Sequence, residues 1–260
     1  SAKGAAYLEQ GRQLSKGNPF LQSVYFFYLG NFQSISNLEF SASSFMKADS
    51  LLKKFSTKEA FVFRSKVWHN YGAIQQMKDD NEYFADILLE KAIPFAIKGG
   101  DSVYLGKNYF DLGLAFTNTL QFAKAEDVWQ KAIQIFNKVN APKEHLMDVY
   151  NLSAQNYIEL KDMNRAQAML DSSAALLKPY PESQYYLDYY ASQGMFFNAQ
   201  GKFSKAHESI DKGITLSKKL NQPYREQRIL LQKFFAFYGE KKFDRGKEVL
   251  LTLMNSQPFI

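Results

Sequence analysis

The side chains best suited to chemistry in this 260-residue chain are amides, and asparagines recur at Asn70, Asn118, Asn151 and Asn198. Asparagine is a poor choice for a helix interior on propensity alone. Its amide, however, can both donate to and accept from the backbone of an extended peptide. Four such amides could hold a peptide main chain, with Tyr and Phe pockets taking its side chains. The alternative is that these asparagines are turn-adjacent or solvated polar residues.

The three histidines, His69, His145 and His207, form no catalytic or metal-binding pattern. None has a second histidine or an acid at the ligand spacing of a motif such as His-Glu-x-x-His. The pair Gly99-Gly100 lacks the Lys and Ser/Thr of a phosphate-binding loop. The absence of cysteine excludes disulfides, thiol catalysis and cysteine metal sites. We therefore expect no enzyme activity, no metal and no cofactor.

The charge pattern argues against a nucleic-acid partner for this segment. The net charge is +6, but the lysines are scattered or in short clusters with acids nearby. A nucleic-acid-binding protein would normally show a basic stripe along one element. The chain also lacks the run of about eighteen apolar residues that spans a membrane, and its first residues do not form a signal peptide. We expect no membrane insertion by this segment.

A repeat sets the positions of all these residues. A small residue recurs in steps of 40, 41, 40 and 40, at Ala85, Ala125, Ala166, Ala206 and Gly246. A large apolar residue follows four positions later, at Leu89, Trp129, Leu170, Ile210 and Leu250. Two of the alanines, Ala125 and Ala206, have an aromatic residue three positions earlier, at Phe122 and Phe203. The segments before them contain the glycines Gly113 and Gly194. Such a period is typical of stacked helical hairpins, in which a small residue lets two helices cross closely while large neighbours fill the grooves.

Segments 111–116 with 122–125, and 201–206, resemble the tetratricopeptide repeat (TPR) family. The family motif places a Leu and a small residue in the first helix, then an aromatic residue, Ala, an apolar residue and a small residue in the second. The resemblance covers about residues 24 to 256. It implies an all-α fold, a right-handed superhelical solenoid of antiparallel helical hairpins. The period exceeds the common one of about 34 residues, and the typical first-helix tryptophan is found only at Trp68, so helices or links are longer.

In this family the first helices line the concave side of the superhelix, which implies a position for the candidate binding residues. Those residues are Asn70, Tyr71, Asn118, Asn151, Gln155, Asn198, Gln232 and Tyr238. A chaperone-type clamp for a C-terminal carboxylate needs Lys and Arg beside Asn. Here the corresponding surface carries Asp111, Asp148, Glu159 and Asp188. This indicates a basic or neutral protein or peptide ligand.

We expect residues 1–18 to form the second helix of a truncated repeat, and residues 19–260 about six TPR-like hairpins in one continuous solenoid domain. Long repeats of this kind resemble two bacterial groups, the sensor regions of membrane-bound regulators and histidine kinases, and the peptide-responsive cytoplasmic regulators. The resemblance implies a protein- or peptide-binding segment of a larger bacterial signalling protein, and slightly favours an extracytoplasmic position. The alternative is a stand-alone scaffold or assembly factor linking partner proteins, which allows self-association through exposed repeat ends.

Overall fold

The computed structural model describes residues 2–255, and within them it contains α-helices joined by short turns, with no strand. The helices are α1 (Ala2–Leu14), α2 (Pro19–Gln33), α3 (Leu38–Leu52), α4 (Lys58–Met77), α5 (Asn81–Ile87), α6 (Ile93–Gly99), α7 (Ser102–Asn118), α8 (Phe122–Lys138), α9 (Lys143–Glu159), α10 (Met163–Leu177), α11 (Tyr185–Ala199), α12 (Phe203–Leu220), α13 (Pro223–Gly239) and α14 (Phe243–Asn255). A π-helical turn, Leu88–Ala92, joins α5 to α6. The prediction of an all-α fold of helical hairpins is confirmed.

The helices after α1 pair in chain order as six hairpins within the described residues. These are α2/α3, α4 with α5 and α6, α7/α8, α9/α10, α11/α12 and α13/α14. By their contacts the residues divide into two compact units, Ser1–Ala141 and Pro142–Ile260. A single continuous domain over residues 19–260 stays a prediction. Residue 1 and residues 256–260, which the predicted ranges include, lie outside the described residues.

The turn inside each hairpin is a repeated backbone structure. In five hairpins the second residue past the first helix adopts a left-handed conformation, at Asp79, Leu120, Lys161, Gly201 and Lys241. The next residue donates its N–H to a carbonyl five positions earlier, as Gln121 does to Phe116 at 2.7 Å and Asp162 to Tyr157 at 2.8 Å. This is the Schellman arrangement, which satisfies carbonyls at a helix end. Four of the five residues are not glycine, so the turns are held in place by the packing of the helices they join.

Small residues allow the two helices of a hairpin to cross closely. Ala125, Ala166 and Ala206 are completely buried, and Ala85, Gly113, Gly194 and Gly246 are also buried. A methyl group at Gly113 would overlap the indole ring of Trp129. That ring is fixed, because it is fully buried and its Nε1 donates to the carbonyl of Phe110 at 2.9 Å. Phe122 and Phe203 are half-buried beside these crossings.

The expected packing of Leu89 and Leu250 is wrong. Leu89 is 47% exposed, whereas its neighbour Leu88 is completely buried. In this hairpin the ring of Phe84 packs against Gly72. A methyl group added at Gly72 would lie only 2.6 Å from a carbon of that ring. The second helix of this hairpin, which begins with α5, is thus rotated about its own axis relative to the second helices of the other hairpins. Its irregular segment is the π-helical turn that follows α5. Leu250 is 40% exposed because no described helix follows α14.

The two glycines at repeat positions should respond in opposite ways to alanine. Gly113→Ala is expected to lower the free energy of unfolding by about 1–3 kcal/mol, because Trp129 cannot move aside. In Gly246→Ala the added methyl group would meet no atom closer than 3.7 Å, so helix propensity should raise stability by up to about 1 kcal/mol. Urea denaturation followed by circular dichroism measures both. Equal effects of the two substitutions would contradict the proposed crossing.

Candidate functional site

The second unit carries a row of polar side chains across three neighbouring first helices, α9, α11 and α13. On α9 the row has the three- and four-residue spacing of one helix face. We call the whole set the polar face; it comprises Glu144, Asp148, Asn151, Gln155, Tyr185, Asp188, Ser192, Arg225, Arg228 and Gln232. Contacts between α9 and α11 and between α11 and α13 bring these residues together. Hydrogen bonds and ion pairs between the helices fix their arrangement.

The centre of the polar face is an ion pair between one acid and two arginines. Arg225 donates from Nη1 to Oδ2 of Asp188, and Arg228 donates from Nη1 to Oδ1 at 3.0 Å. The guanidinium of Arg225 also lies over the ring of Tyr185 at 5.7 Å. Burial raises the pKa of Asp188, while the two arginines act in the opposite direction. The acidic character predicted for this surface is therefore largely offset at Asp188.

Asp148 is a half-buried carboxylate of the polar face that forms no ion pair among the described residues. Burial raises its pKa to about 6, and the nearby Asp188 adds to the rise, whereas Arg225 and Arg228 oppose it. Near neutral pH its charge is maintained against a desolvation cost. A cationic or hydrogen-bond-donating group of a ligand would lower that cost. Such a group would also lower the pKa of Asp148 toward its ordinary value.

The amide of Asn151 lies next to Asp148 on the same face of α9 and is 2% exposed. Neither its Nδ2 nor its Oδ1 has a hydrogen-bond partner among the described residues. The other amides here use their N–H groups within the protein, since Gln155 donates to the hydroxyl of Ser192 at 2.7 Å and Asn198 donates to the carbonyl of Gln232 at 2.9 Å, although Oδ1 of Asn198 has no partner among the described residues. A buried amide without partners costs free energy. Such groups in native structures call for an explanation, of which a ligand is one.

The predicted asparagines of the first unit bridge neighbouring hairpins. Asn70 donates to the side chain of Asn31 at 2.6 Å, and Asn118 donates to that of Asn81 at 2.8 Å. Asn118 is exposed at the end of its helix, as the turn-adjacent alternative expects, whereas Asn70 is half-buried. These amides have an evident structural use, because each links its own hairpin to the hairpin before it. Their role in gripping a peptide stays a prediction.

The predicted tyrosines lie in different surroundings. Tyr71 is half-buried and packs edge-on against Trp68, with ring centres 5.7 Å apart. Tyr238 is exposed and lies beside Phe243, with ring centres 5.6 Å apart. In the second unit the structure places Gln155 against Ser192 and Asn198 against the backbone of Gln232. It does not place Tyr238 in the same row.

A buried polar network that the sequence did not reveal links α4, α7 and the π-helical turn in the first unit. The hydroxyl of Ser65 donates to the carbonyl of Ala92 at 2.8 Å, so it must accept the bond from Nδ2 of Asn108 at 3.1 Å. The Oδ1 of Asn108 then faces Nδ1 of His69 at 2.7 Å, and this nitrogen must carry a proton. The remaining His69 nitrogen, Nε2, lies 3.3 Å from Asp111. One further proton between His69 and Asp111 is needed to make that contact favourable.

Comparison with known proteins shows the fold. No family model and no curated protein matches the chain. Among solved structures, a Podosopora anserina putative kinesin light chain with nearly identical TPR-like repeats has a TM-score of 0.62 at 14% identity, covering 79% of this chain and 99% of that chain. The fold is TPR-like. The apo form of RapI has a TM-score of 0.76 at 12% identity, covering 94% of this chain and 86% of that chain. A Rap protein complexed with Competence and Sporulation Factor has a TM-score of 0.70 at 13% identity, covering 95% of this chain and 68% of that chain.

Within this TPR-like fold, the residues that sequence reasoning missed are the arginines of the polar face. Arg225 and Arg228 follow Asp188 by 37 and 40 residues, close to one repeat. That spacing is the signal that could have paired them with it. Among the described residues no cluster of His, Cys, Asp and Glu could hold a metal ion, and no described helix is both long and apolar enough to cross a membrane.

Replacing the unpaired amide with an apolar side chain of similar size should stabilise the protein. Asn151→Leu is expected to raise the free energy of unfolding by about 1 kcal/mol or more, because it removes a buried polar group that has no partner. The matched control is Asn108→Leu, at a completely buried asparagine that bonds to both Ser65 and His69. This control should lower stability by about 1–3 kcal/mol. A destabilised Asn151→Leu protein would show that the amide is already satisfied.

The burial of the Asp111 carboxyl, which lies against His69, makes stability depend on pH. Burial raises the pKa of Asp111, so the folded protein holds a proton that the unfolded chain releases above about pH 4. This stabilisation is complete below the unfolded pKa and is lost as the pH rises through the folded pKa. In the variant Asp111→Asn, the amide N–H group donates to His69 at any pH, so no titrating proton is needed. The melting temperature of this variant should therefore fall less than that of the wild type as the pH increases. Asp127→Asn, at an exposed position on α8, should follow the wild type, and parallel curves for all three proteins would refute the shared proton.

Proposed function

We propose that this chain is a non-enzymatic protein- or peptide-binding module that serves as the sensing or interaction segment of a larger bacterial signalling or regulatory protein. The observation that carries the proposal is the buried, unpaired amide of Asn151 beside Asp148 on the polar face. An amide provides one donor group and one acceptor group, which match the N–H and C=O of a peptide backbone. Helical repeats commonly use such a surface for binding.

The charges of the polar face suit a segment of mixed polarity. Asp148 favours a cationic or donor group, while Arg225 and Arg228 retain N–H groups beyond those that bond to Asp188. The similarity to the Rap protein structure that contains Competence and Sporulation Factor supports a peptide as the ligand. Binding would act by changing the packing of α9, α11 and α13 against one another, because the ligand-binding groups lie on all three helices.

A stand-alone scaffold or assembly factor is the second candidate, and exposed apolar side chains favour it. In the last hairpin these are Leu231, Phe235, Tyr238, Phe243, Leu250, Leu251 and Met254. At α1 and α2 an apolar groove of about 630 Å³ is lined by residues that include Tyr7, Leu14 and Tyr28. Contiguous apolar patches on a protein surface commonly mark interaction sites.

A peptide library displayed on bacteriophage tests the first candidate. Peptides selected on the wild-type chain should bind the variant Asn151→Ala about tenfold or more weakly, because the contacts of its unpaired amide with the peptide backbone are lost. The control is Asn164→Ala, which removes an exposed asparagine from the second helix α10 and should leave affinity unchanged. Isothermal titration calorimetry measures the affinities, and circular dichroism verifies the fold.

The outcomes separate the two candidates. Failure to select peptides, or equal affinity for all three proteins, would remove the polar face as a binding site. Light scattering on the wild type then tests the scaffold, which predicts self-association that rises with protein concentration. A strict monomer that recovers no partner protein would count against the scaffold as well.

A further inference from the structure

A solvent-open cavity of about 640 Å³, whose residues Arg12, Lys16, Lys47 and Ser50 are exposed, lies in the first unit between the end of α1, the outer face of α2 and the end of α3. Its volume falls in the range of small-molecule sites. Three cationic side chains, Arg12, Lys16 and Lys47, line it. Among the described residues that form its walls there is no aspartate or glutamate. The cavity shares no residue with the polar face, and its lining carries cations without a carboxylate.

Most hydrogen-bond donors of this cavity are unused within the protein. The ammonium groups of Lys16 and Lys47 make no ion pair or hydrogen bond among the described residues, and the same holds for hydrogen bonds of the side chains of Gln22 and Ser50. Arg12 is the exception, since its Nε and Nη2 bond to Glu9 at 2.8 and 2.7 Å. These bonds leave other N–H groups of the guanidinium available. Of the three cations, only Arg12 is paired with a carboxylate, that of Glu9, and Glu9 does not line the cavity.

Two aromatic rings give the cavity an apolar wall. Tyr25 and Phe26 both line it, with ring centres 5.2 Å apart. The ammonium of Lys47 lies 4.8 Å from the centre of the Phe26 ring, so a cation is held directly beside the apolar surface. A ligand that filled this space would place an apolar group against the rings and a negative group near Lys47. Neither inorganic ions nor purely apolar molecules would use both parts.

We propose that this cavity binds a small organic oxyanion, a carboxylate or phosphate attached to a flat apolar group. Lys16, Lys47 and the unbonded N–H groups of Arg12 pair with the oxyanion, and Gln22 and Ser50 add neutral donors. Tyr25 and Phe26 contact the flat part. Charge-assisted hydrogen bonds of this kind are among the strongest in proteins. The complementarity rests on the wall residues alone and is independent of the function proposed for the polar face.

Saturation-transfer NMR with four probes tests the site. Phenyl phosphate and benzoate carry both groups and should bind, whereas inorganic phosphate carries only the charge and benzyl alcohol only the ring. Both of the latter should bind at least about tenfold more weakly, since each loses one set of contacts. The ratio between phenyl phosphate and benzoate identifies which oxyanion the cavity prefers. Equal binding of benzyl alcohol and phenyl phosphate would overturn the role of the cations.

The variant Lys47→Glu should weaken phenyl phosphate binding by roughly tenfold or more, because it replaces a cation beside the Phe26 ring with a repelling charge. The matched control is Lys54→Glu, which makes the same change at an exposed residue just past α3 that does not line the cavity. It should weaken binding by less than about twofold, because an exposed charge farther away is screened by salt. No binding of either organic anion to the wild type, or an equal loss in both variants, would refute the proposal.

Discussion

The close crossing of two helices at a residue without a bulky side chain is the constraint on which this structure depends. At Gly113 the backbone of α7 lies against the indole of Trp129, whose nitrogen bonds to the carbonyl of Phe110. One ring thereby fills the groove, and its buried N–H finds an acceptor in the opposite helix. Because the ring is fully buried, the distance between the helices is fixed. Every hairpin needs some form of this contact, so small residues recur at the repeat period.

A second set of contacts joins one hairpin to the next, and it is polar. Asn70 with Asn31, and Gln155 with Ser192, connect residues 39 and 37 positions apart. Such bonds are directional, and they specify how neighbouring helices are rotated about their axes. Asn151 lies in the same kind of position without a partner. At this position the protein retains a buried amide without partners where its neighbours form hydrogen bonds, and the binding role proposed for Asn151 rests on this difference.

The two units differ in the chemistry that they offer. In the second unit the polar face combines a desolvated carboxylate with an acid–arginine pair, so its fixed charges nearly balance. In the first unit the cavity beside α2 carries cations and aromatic rings without a lining carboxylate. The overall charge of +6 predicts neither arrangement. Local pairing decides which charges remain available to a ligand, and this pairing depends on residues from different helices.

The sequence by itself determined the helices and the repeat, because both follow from local periodicity and from small residues at fixed positions. The spacing of Ala125, Ala166 and Ala206 was enough to place three buried crossings. Only the tertiary structure decided that Leu88 rather than Leu89 is buried, and that Arg225 and Arg228 meet Asp188. The rotation of one helix against another decides such contacts. It results from the packing of all neighbouring side chains together, and no single segment of sequence contains that information.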